Sequence, residues 1–369
     1  MKRKPRIFHG LVNYGTQSGV LAMYLRRLGY RAVSVTRPDA FGRVTDVSLP
    51  HGGNLFQKIA RHAWARIYLA YCFFTNEIFH FYFGTTLANG QWDLPLYRIF
   101  GKKVVMEYLG SDVQKYGVSV GKYKWTNIRY KQTPEEGLAS DRRIDKRLAR
   151  ERKYADKLLV CAPCYSEFVT DAELLPLAID LEQYEFTPLP AFQGTFRLMH
   201  APTHRGNKGT SYILDAVERL KSEGHAIELD LVEGVSHEEL KRRYRKCHVF
   251  IDQIVAGWYG TASIEALAMG RPTVVSIRDS YMEHFPVEHE LPFFNADPDS
   301  IYDVLRGVLG LTPTQLQDSA QRGREFVESV HDASVVVRKL VSIYEGLWRA
   351  FPRTHLVTER PLKGQRRDG

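Results

Sequence analysis

The sequence predicts an α/β protein in which two Rossmann-like domains face each other across a cleft. Its 369 residues exceed what one hydrophobic core ordinarily organises, so two domains are expected. Short runs of β-branched and aromatic residues alternate with helical patterns, as they do in stacked βα units. The alternation stops at a stretch that contains Pro and Gly and then begins again, which indicates a second unit of the same kind.

The first half has the periodicity of a parallel sheet covered by helices. A buried strand is predicted at 6–12, and a polar turn that contains Gly15 separates it from the first helix. Gly29 is expected to end that helix in the left-handed conformation. Further strands of this half are predicted at 31–36, 77–83, 102–107 and 157–161.

The second half repeats the pattern. Its strands are predicted at 196–200, 227–232, 249–251 and 273–277. Its first helices are predicted at 210–222 and 237–246, and a short third helix begins after Gly260. A polar loop is predicted at 203–209, between the first of these strands and its helix.

Domain boundaries follow from these patterns. The first domain is predicted at 1–186 and the second at 195–352. The segment 187–194 contains two prolines and Gly194 without apolar periodicity, so it is predicted as the linker. The segment 353–369 is basic and non-periodic, and it is expected to be a disordered tail.

The composition narrows the class of protein. An apolar share of 44% and a charged share of 25% are typical of a soluble globular protein. No apolar run reaches the roughly 20 residues of a membrane-spanning helix, and the basic N-terminus leads into a short strand rather than a signal peptide. Four cysteines make a disulfide framework unexpected, so the cytoplasm is the expected compartment.

The formal net charge of +9 indicates an acidic partner. Nucleic acid is not expected, because the sequence shows no zinc-finger spacing, RNP-like aromatic motif or compact helix-turn-helix unit. A phosphorylated substrate and an anionic membrane surface remain, and the two are compatible.

Two segments of the second half are expected at carboxyl ends of strands, where helix N-termini bind anions. Arg205 and Lys208 precede a helix and could stabilise the charge of a departing diphosphate, although a solvated basic loop has the same composition. Gly260 allows a tight turn, after which the backbone N–H groups of Thr261 and Ala262 could bind an anion.

Glu265 lies one turn further along this helix, among small and apolar residues. A carboxylate in such surroundings needs hydrogen-bond donors, and ribose hydroxyls are suitable ones. The alternative is a glutamate on a solvated helix face. The apolar sequence around it favours the buried position.

These segments resemble the signature of the retaining glycosyltransferases of family 4, which have the GT-B fold. The loop with Arg205 and Lys208 resembles that family's cationic pair. The run from Glu265 to Pro272 resembles the second half of its Glu–seven residues–Glu motif, and 175–180 resembles the segment before its interdomain linker.

The resemblance implies a function for each domain. The first domain would bind the acceptor, and the second a nucleoside diphosphate sugar linked to UDP or GDP. The sugar would be transferred to a hydroxyl of a glycan or lipid-linked acceptor with retention of configuration, in glycolipid or surface polysaccharide synthesis. Arg205 and Lys208 would stabilise the diphosphate and Glu265 would hold the ribose. No metal ion or other cofactor is expected.

The sequence departs from the family pattern at two positions. The first Glu of the motif falls at Gly257, for which Asp252 is a candidate substitute. The segment that ends at Asp112, a candidate catalytic residue, resembles a His-Gly-x-Asp segment but has Leu109 where His is usual. The loop with Gly15 resembles the glycine-bearing loop through which the first domain reaches the diphosphate and the acceptor.

Other functions fit the same fold. A nucleotide-sugar epimerase or a phosphorylase is one alternative, and a non-catalytic nucleotide-sugar-binding protein is another, since the motif Glu and the usual His are absent. Cys161 and Cys164 have the spacing of a redox pair. Without further features of a thioredoxin, two small residues at a strand end are the favoured interpretation.

The stretch 56–74 combines large apolar residues with Lys58, Arg61, His62 and Arg66. The favoured interpretation is a helix whose apolar face packs on the sheet. The alternative is a basic, aromatic helix at an anionic bilayer surface, which would attach the protein peripherally to the cytoplasmic face of a membrane.

Overall fold

Two parallel β-sheets form the framework of the computed structural model, which describes residues 3–38, 43–285 and 291–349. The predicted tail at 353–369 therefore lies outside the described residues. The strands are β1 (Arg6–Leu11), β2 (Arg31–Thr36), β3 (Val47–Ser48), β4 (Ile78–Tyr82), β5 (Lys103–Tyr108), β6 (Lys157–Val160), β7 (Glu173–Leu174), β8 (Phe196–His200), β9 (Ile227–Leu231), β10 (Val249–Ile251), β11 (Thr273–Val275) and β12 (Phe293–Asn295).

Helices connect the strands and cover the sheets. They are α1 (Gln17–Arg27), α2 (Leu55–Thr75), α3 (Leu94–Ile99), α4 (Tyr116–Lys122), α5 (Pro134–Tyr154), α6 (Pro163–Ser166), α7 (Arg205–Lys208), α8 (Thr210–Ser222), α9 (His237–Tyr244), α10 (Thr261–Ala268), α11 (Ile301–Leu309), α12 (Pro313–Val330) and α13 (Ala333–Arg349). Short 3-10 helices lie at Tyr14–Thr16, Asn89–Gln91, Asn127–Tyr130, Leu181–Gln183 and Asp279–His284.

The order of the strands places two crevices in the molecule. The first sheet has the order β3-β2-β1-β4-β5-β6-β7, and the second has the order β12-β11-β10-β8-β9. All of these pairings are parallel. The chain runs in opposite directions from β1 and from β8, so a crevice opens at the carboxyl end of each strand. The loop with Gly15 follows β1, and the loop with Lys208 follows β8.

The predicted elements agree closely with the structure where the chain is strongly periodic. The strands predicted at 31–36, 196–200 and 249–251 and the helix at 210–222 have the observed bounds. The polar loop predicted at 203–209 was wrong in part, because it contains the one-turn helix α7. The ring nitrogen of His204 accepts a hydrogen bond from the backbone N–H of Asn207 and thereby caps this turn.

The last helix crosses back to the first sheet. Ile179 and Asp332 form a parallel bridge just before α13, which then packs on α1. Its buried side chains share a core with those of α1 and β1. The hydroxyl of Tyr30 donates to Glu345 at 2.8 Å. The predicted boundaries place α13 in the second domain, whereas the surface on which it packs belongs to the first.

The favoured interpretation of α2, with its apolar face on the sheet, is wrong. Only Cys72 and Phe73, near its C-terminal end, are buried. Ala65, Tyr68 and Leu69 are partly buried against the core, so these residues occupy the side that faces the sheet. The large apolar residues of the opposite side are exposed. None of the described helices, α2 included, is long and apolar enough to cross a membrane.

Candidate active site

The two crevices meet where Gly15 approaches the start of α10. Gly15 has a φ of +51°, in the left-handed region, and a Cβ at this position would lie 2.9 Å from Oγ1 of Thr261. Both the conformation and the contact favour glycine. The structure therefore brings together two of the predicted site residues, one from each domain.

A buried carboxylate holds Lys208 at the carboxyl end of β10. Nζ of Lys208 lies 2.6 Å from Oδ1 of Asp252 and donates to Oε1 of Gln253 at 3.2 Å. The hydroxyl of Ser263 donates to Oδ2 of Asp252 at 2.6 Å. Since Ser263 lies in the first turn of α10, this network fixes the ammonium group beside that helix start.

Asp252 is 1% exposed. Burial alone would raise its pKa, but the charge of Lys208 and the hydrogen bonds from Lys208 and Ser263 together lower the pKa below its ordinary value. The carboxylate is thus ionised near neutral pH, with one oxygen bonded to each partner. It is placed to orient Lys208.

Arg205 pairs with a glutamate, and a further cation lies near Lys208. The guanidinium of Arg205 binds Glu233 through two hydrogen bonds of 3.0 and 2.6 Å. Lys131, which follows the 3-10 helix Asn127–Tyr130, comes from the other domain. Although Lys131 is exposed, partial desolvation lowers its pKa, and the nearby charge of Lys208 lowers it further. Sequence analysis missed Lys131, because it lies outside any recognised motif.

The first turn of α10 is open to an anion. Gly260 is its N-cap, and no side chain of the described residues caps the helix there. The backbone N–H groups of Thr261 and Ala262 lie in this uncapped turn, together with the positive end of the helix dipole. Anion binding at this turn stays a prediction.

Glu265 is 9% exposed, which confirms the buried position favoured by the sequence. The hydroxyl of Tyr184 donates to its Oε1 at 2.8 Å, and Nε2 of His237 lies 3.2 Å from the same oxygen. The hydrogen bond to Glu265 raises the pKa of His237. Neither contact uses Oε2 of Glu265. No pattern in the sequence connects Tyr184 or His237 with this carboxylate.

Asp112 lies just beyond the carboxyl end of β5 and is 5% exposed. Its Oδ1 accepts hydrogen bonds from the backbone N–H groups of Gly110 (2.7 Å) and Leu109 (3.3 Å). Burial raises the pKa of Asp112 to about 7, against the opposing attraction of Arg147. The group therefore exchanges its proton near neutral pH, as a catalytic acid or base does.

Tyr14 lies near carboxylates of both domains. Desolvation raises the pKa of Tyr14 to about 12, and the charges of Asp112 and Asp252 add to this shift. Both carboxylates are therefore close enough to act on one hydroxyl. Leu109 is buried, so it offers no polar contact where the family has a histidine.

The side chain of Arg278 lies against Gly257, the position at which the family motif has its first Glu. Gly257 has a φ of +80°, and a Cβ there would lie 2.6 Å from Nε of Arg278. Arg278 donates to the backbone oxygens of Ala256 at 3.0 Å and Trp125 at 2.5 Å, and it lies 3.9 Å from the ring centroid of Tyr123. A glutamate at 257 would therefore have to displace this guanidinium.

The two cysteines with redox spacing lie in the core. Cys161 and Cys164 are buried free thiols, and burial raises the pKa of Cys164 to about 12, so it is not a reactive thiolate. Residues 3–38, 43–285 and 291–349 contain no group of three or more His, Cys, Asp or Glu side chains placed to hold a metal ion.

Neither a protein-family model nor a curated protein sequence matches the chain. Solved structures do match. The sucrose-phosphate synthase of Thermosynechococcus elongatus is 16% identical over 94% of this chain and 100% of that one, with a TM-score of 0.62. A glycosyltransferase from Rickettsia africae is 12% identical over 95% of this chain and 100% of that one, with a TM-score of 0.60.

Anabaena HepE, solved in complex with UDP and glucose, is 12% identical over 93% of this chain and 100% of that one, with a TM-score of 0.57. These likenesses concern the fold. With the two parallel sheets, they confirm the predicted fold class, two Rossmann-like domains in the GT-B arrangement.

Proposed function

We propose that the protein transfers a sugar from a nucleoside diphosphate sugar to an acceptor hydroxyl. The observation that carries this proposal is the position of Lys208, which Asp252 holds beside the uncapped start of α10. A preorganised cation and free backbone donors in a cleft are what a departing diphosphate requires. The HepE complexes with UDP-glucose and with UDP and glucose make a UDP-linked donor the first to test, before a GDP-linked one.

In this proposal the diphosphate lies against Thr261 and Ala262, within reach of Lys208. Lys131 approaches from the opposite domain, and Arg205 lies at the exposed end of the group. Negative charge on the diphosphate increases as its bond to the sugar breaks. Fixed cations therefore stabilise the transition state more than the bound substrate. No metal ion is needed for this role, so chelators should leave the activity unchanged.

The proposed role of Asp252 differs from that suggested by its sequence position. As a substitute for the motif Glu it would contact the sugar, yet both of its oxygens already have partners and it is almost fully buried. We assign it as a positioning residue for Lys208. The sugar would instead meet the region of Gly257 and Arg278, so its recognition differs from that of the family.

Glu265 is proposed to accept hydrogen bonds from the ribose hydroxyls through Oε2. Tyr184 and His237 hold its other oxygen, which fixes the plane of the carboxylate. A contact of this kind is the same before and during the reaction. It therefore contributes to binding of the donor rather than to the rate of transfer.

Asp112 is proposed to accept the proton of the acceptor hydroxyl. The hydroxyl oxygen forms the new bond to the anomeric carbon, the bond from that carbon to the diphosphate breaks, and its electron pair leaves with the diphosphate. Retention of configuration, and an acceptor that is a glycan or a lipid-linked sugar, rest on the family resemblance and belong to the proposal.

Release of nucleoside diphosphate from UDP-sugars and GDP-sugars tests the function. The proposal predicts release that depends on an acceptor from a panel of simple glycosides and lipid-linked sugars. Conversion of the nucleotide sugar without acceptor would indicate an epimerase. Tight binding without turnover on the whole panel would indicate a non-catalytic binding protein, which the Arg278 guanidinium beside Gly257 would then explain.

A further inference from the structure

One side of α2 exposes a continuous apolar row. Phe56, Ile59, Ile67 and Phe74 have exposed fractions of 83%, 60%, 71% and 66%. Their spacing by three and four residues, or by two such steps, places them along one side of the helix. These four residues are called the α2 face below. Monomeric soluble proteins rarely expose apolar side chains in such a contiguous group, so the face is expected to bind something.

The α2 face points directly away from the sheet. Ala65, Tyr68 and Leu69 pack against the core from the other side of the helix, and Cys72 is buried. At 100° per residue, the α2 face lies opposite these four positions. The domain thus uses the less apolar side of α2 for its own packing and leaves the more apolar side to water.

The exposed apolar surface continues beyond α2. Ile99 and Phe100, at the end of α3, are exposed at 73% and 51%. The ring of Phe100 lies 5.9 Å from that of Phe74, centroid to centroid. The apolar surface therefore spans two elements that are packed together, and it does not result from one isolated helix.

The charged side chains of α2 are all positive, and the sequence has no Asp or Glu between Asp46 and Glu77. At 100° per residue, Arg66 and His62 flank the α2 face at about 70° and about 110° from its centre, whereas Lys58 and Arg61 lie on the opposite side. A partner complementary to this surface is apolar and carries negative charge. The interface of an anionic lipid bilayer has both properties.

A second copy of the chain fits the surface poorly. In a two-fold dimer the same basic helix would lie against itself, and α2 has no carboxylate with which to pair these cations. Like charges would then be brought together as apolar area is buried. A bilayer avoids this conflict, because Arg66 beside the apolar row reaches lipid phosphates while the row enters the acyl boundary.

We propose that the α2 face docks the protein on the surface of an anionic bilayer. Since α2 begins after the carboxyl end of β3, its N-terminal end with Phe56 lies toward the edge of the first sheet that borders the cleft. Docking then brings the cleft close to the membrane surface. An acceptor carried by a lipid would reach the cleft without leaving the bilayer. The docking itself does not depend on the proposed reaction.

The test is sedimentation of the full chain with vesicles of pure phosphatidylcholine or of phosphatidylcholine with phosphatidylserine, at low and high salt. Binding is expected with the anionic vesicles only, and salt should reverse it. R66Q, beside the α2 face, should lower the partition coefficient about fivefold, since one cation contributes about 1 kcal/mol near an anionic surface. R142Q on α5, where Asp141 and Asp145 accompany the cations, is the matched control and should bind normally.

A second pair of variants tests the apolar row. F56S with I67S should abolish pelleting, and the change leaves the core untouched because both side chains are exposed. F192S, at a 58% exposed apolar residue of the predicted linker, is its control. Equal binding to neutral vesicles, no binding to either, or a dimer without lipid that F56S and I67S dissociate would each overturn the proposal. Turnover is not measured, so failure of the proposed reaction does not affect the result.

Discussion

Lys208 is the side chain on which the proposed chemistry depends most. It is the most enclosed of the three cations at the proposed diphosphate site, with 15% of its side chain exposed against 59% for Arg205. Water screens an exposed charge. Lys208 is therefore the residue expected to act on the developing charge, while Arg205 contributes less.

Replacement of Lys208 by Ala is expected to cost about 2–4 kcal/mol of transition-state stabilisation, the range for a single preorganised donor. R205A should cost less. Steady-state kcat/KM measures both effects, and the melting temperature shows whether the unpaired Asp252 weakens the fold. If K208A keeps the wild-type kcat/KM, the diphosphate does not bind there.

The protonation of Asp112 should control the pH dependence of the reaction. Because burial raises its pKa to about 7, the fraction able to accept a proton rises with pH through this value. We expect kcat/KM to increase from pH 6 to 8 and to level off above. D112N should be much slower and should lack this rise. A variant with the wild-type profile would remove Asp112 from proton transfer.

At the scale of the elements, the contact between the first loop and α10 joins the two halves of the site. Gly15 lies in a short 3-10 helix, and Gln17 fixes this helix by donating from its side chain to the backbone oxygens of Gly15 and Ala178, each at 2.9 Å. The start of α10 has its own support from Ser263 and Asp252. Each element is therefore held in place by its own domain before the two meet.

A methyl group at Gly15 should separate the two elements. G15A places a Cβ against Thr261 and forces a left-handed alanine, so kcat/KM should fall at least tenfold. G90A is the matched control, because Gly90 also has a positive φ, of +74°, but a Cβ there meets nothing within 4 Å. Equal loss of activity in both variants would assign the effect to backbone strain alone.

The elements also differ in how well the sequence predicts them. Strands such as Phe196–His200 are predicted to the residue, because continuous apolar runs between turn residues have few alternatives. The prediction that the apolar side of α2 packs on the sheet was wrong. An amphipathic pattern defines two sides of a helix but does not determine which one packs. The contact between the Arg278 guanidinium and Gly257 was not predictable, because it joins two loops that only the folded sheet brings together.

At the scale of the whole molecule, a buried chain of hydrogen bonds joins α13 to the first sheet. Oε2 of Glu107 lies 2.8 Å from Nε2 of His80, and Nδ1 of His80 lies 2.6 Å from the hydroxyl of Tyr344. That hydroxyl is 3.2 Å from Nε2 of His9, whose Nδ1 is 2.6 Å from the hydroxyl of Tyr82. With both histidines neutral, one direction of donation runs from Nδ1 of His80 through Tyr344 and His9 to Tyr82. Among the described residues, Nε2 of His80 and both carboxyl oxygens of Glu107 have no hydrogen-bond partner, although the two groups are in contact.

The buried Glu107 makes the stability of the fold depend on pH. Burial raises the pKa of Glu107 from 4.5 to about 8, so the fold favours the protonated form. That contribution is complete below about pH 4.5 and is lost as the pH rises through 8. Burial lowers the pKa of His80 to about 3, which has the opposite effect but only below about pH 6.5. Glu107 therefore dominates between pH 6.5 and 8.

The melting temperature should accordingly fall between pH 6.5 and 8, and E107Q should reduce this fall. Glutamine has the shape of the protonated glutamic acid and stays neutral, so the variant should fold. Y344F removes the hydroxyl that hydrogen-bonds His80 and His9, but no group that titrates in this range. It should therefore lower the melting temperature at every pH. A slope in E107Q as steep as in the wild type would place the titrating group elsewhere.

Nucleotide binding measured by titration calorimetry tests the proposed function most directly. The titrants are UDP, GDP, ADP and TDP, with the wild type and the E265Q and K208A variants. We expect at least one diphosphate to bind the wild type, with UDP the first candidate, and both variants to bind it more weakly. For the corresponding nucleoside monophosphate, the affinities of the wild type and of K208A should be equal. If the wild type binds none of the four diphosphates, the interdomain cleft is not a nucleotide-sugar site.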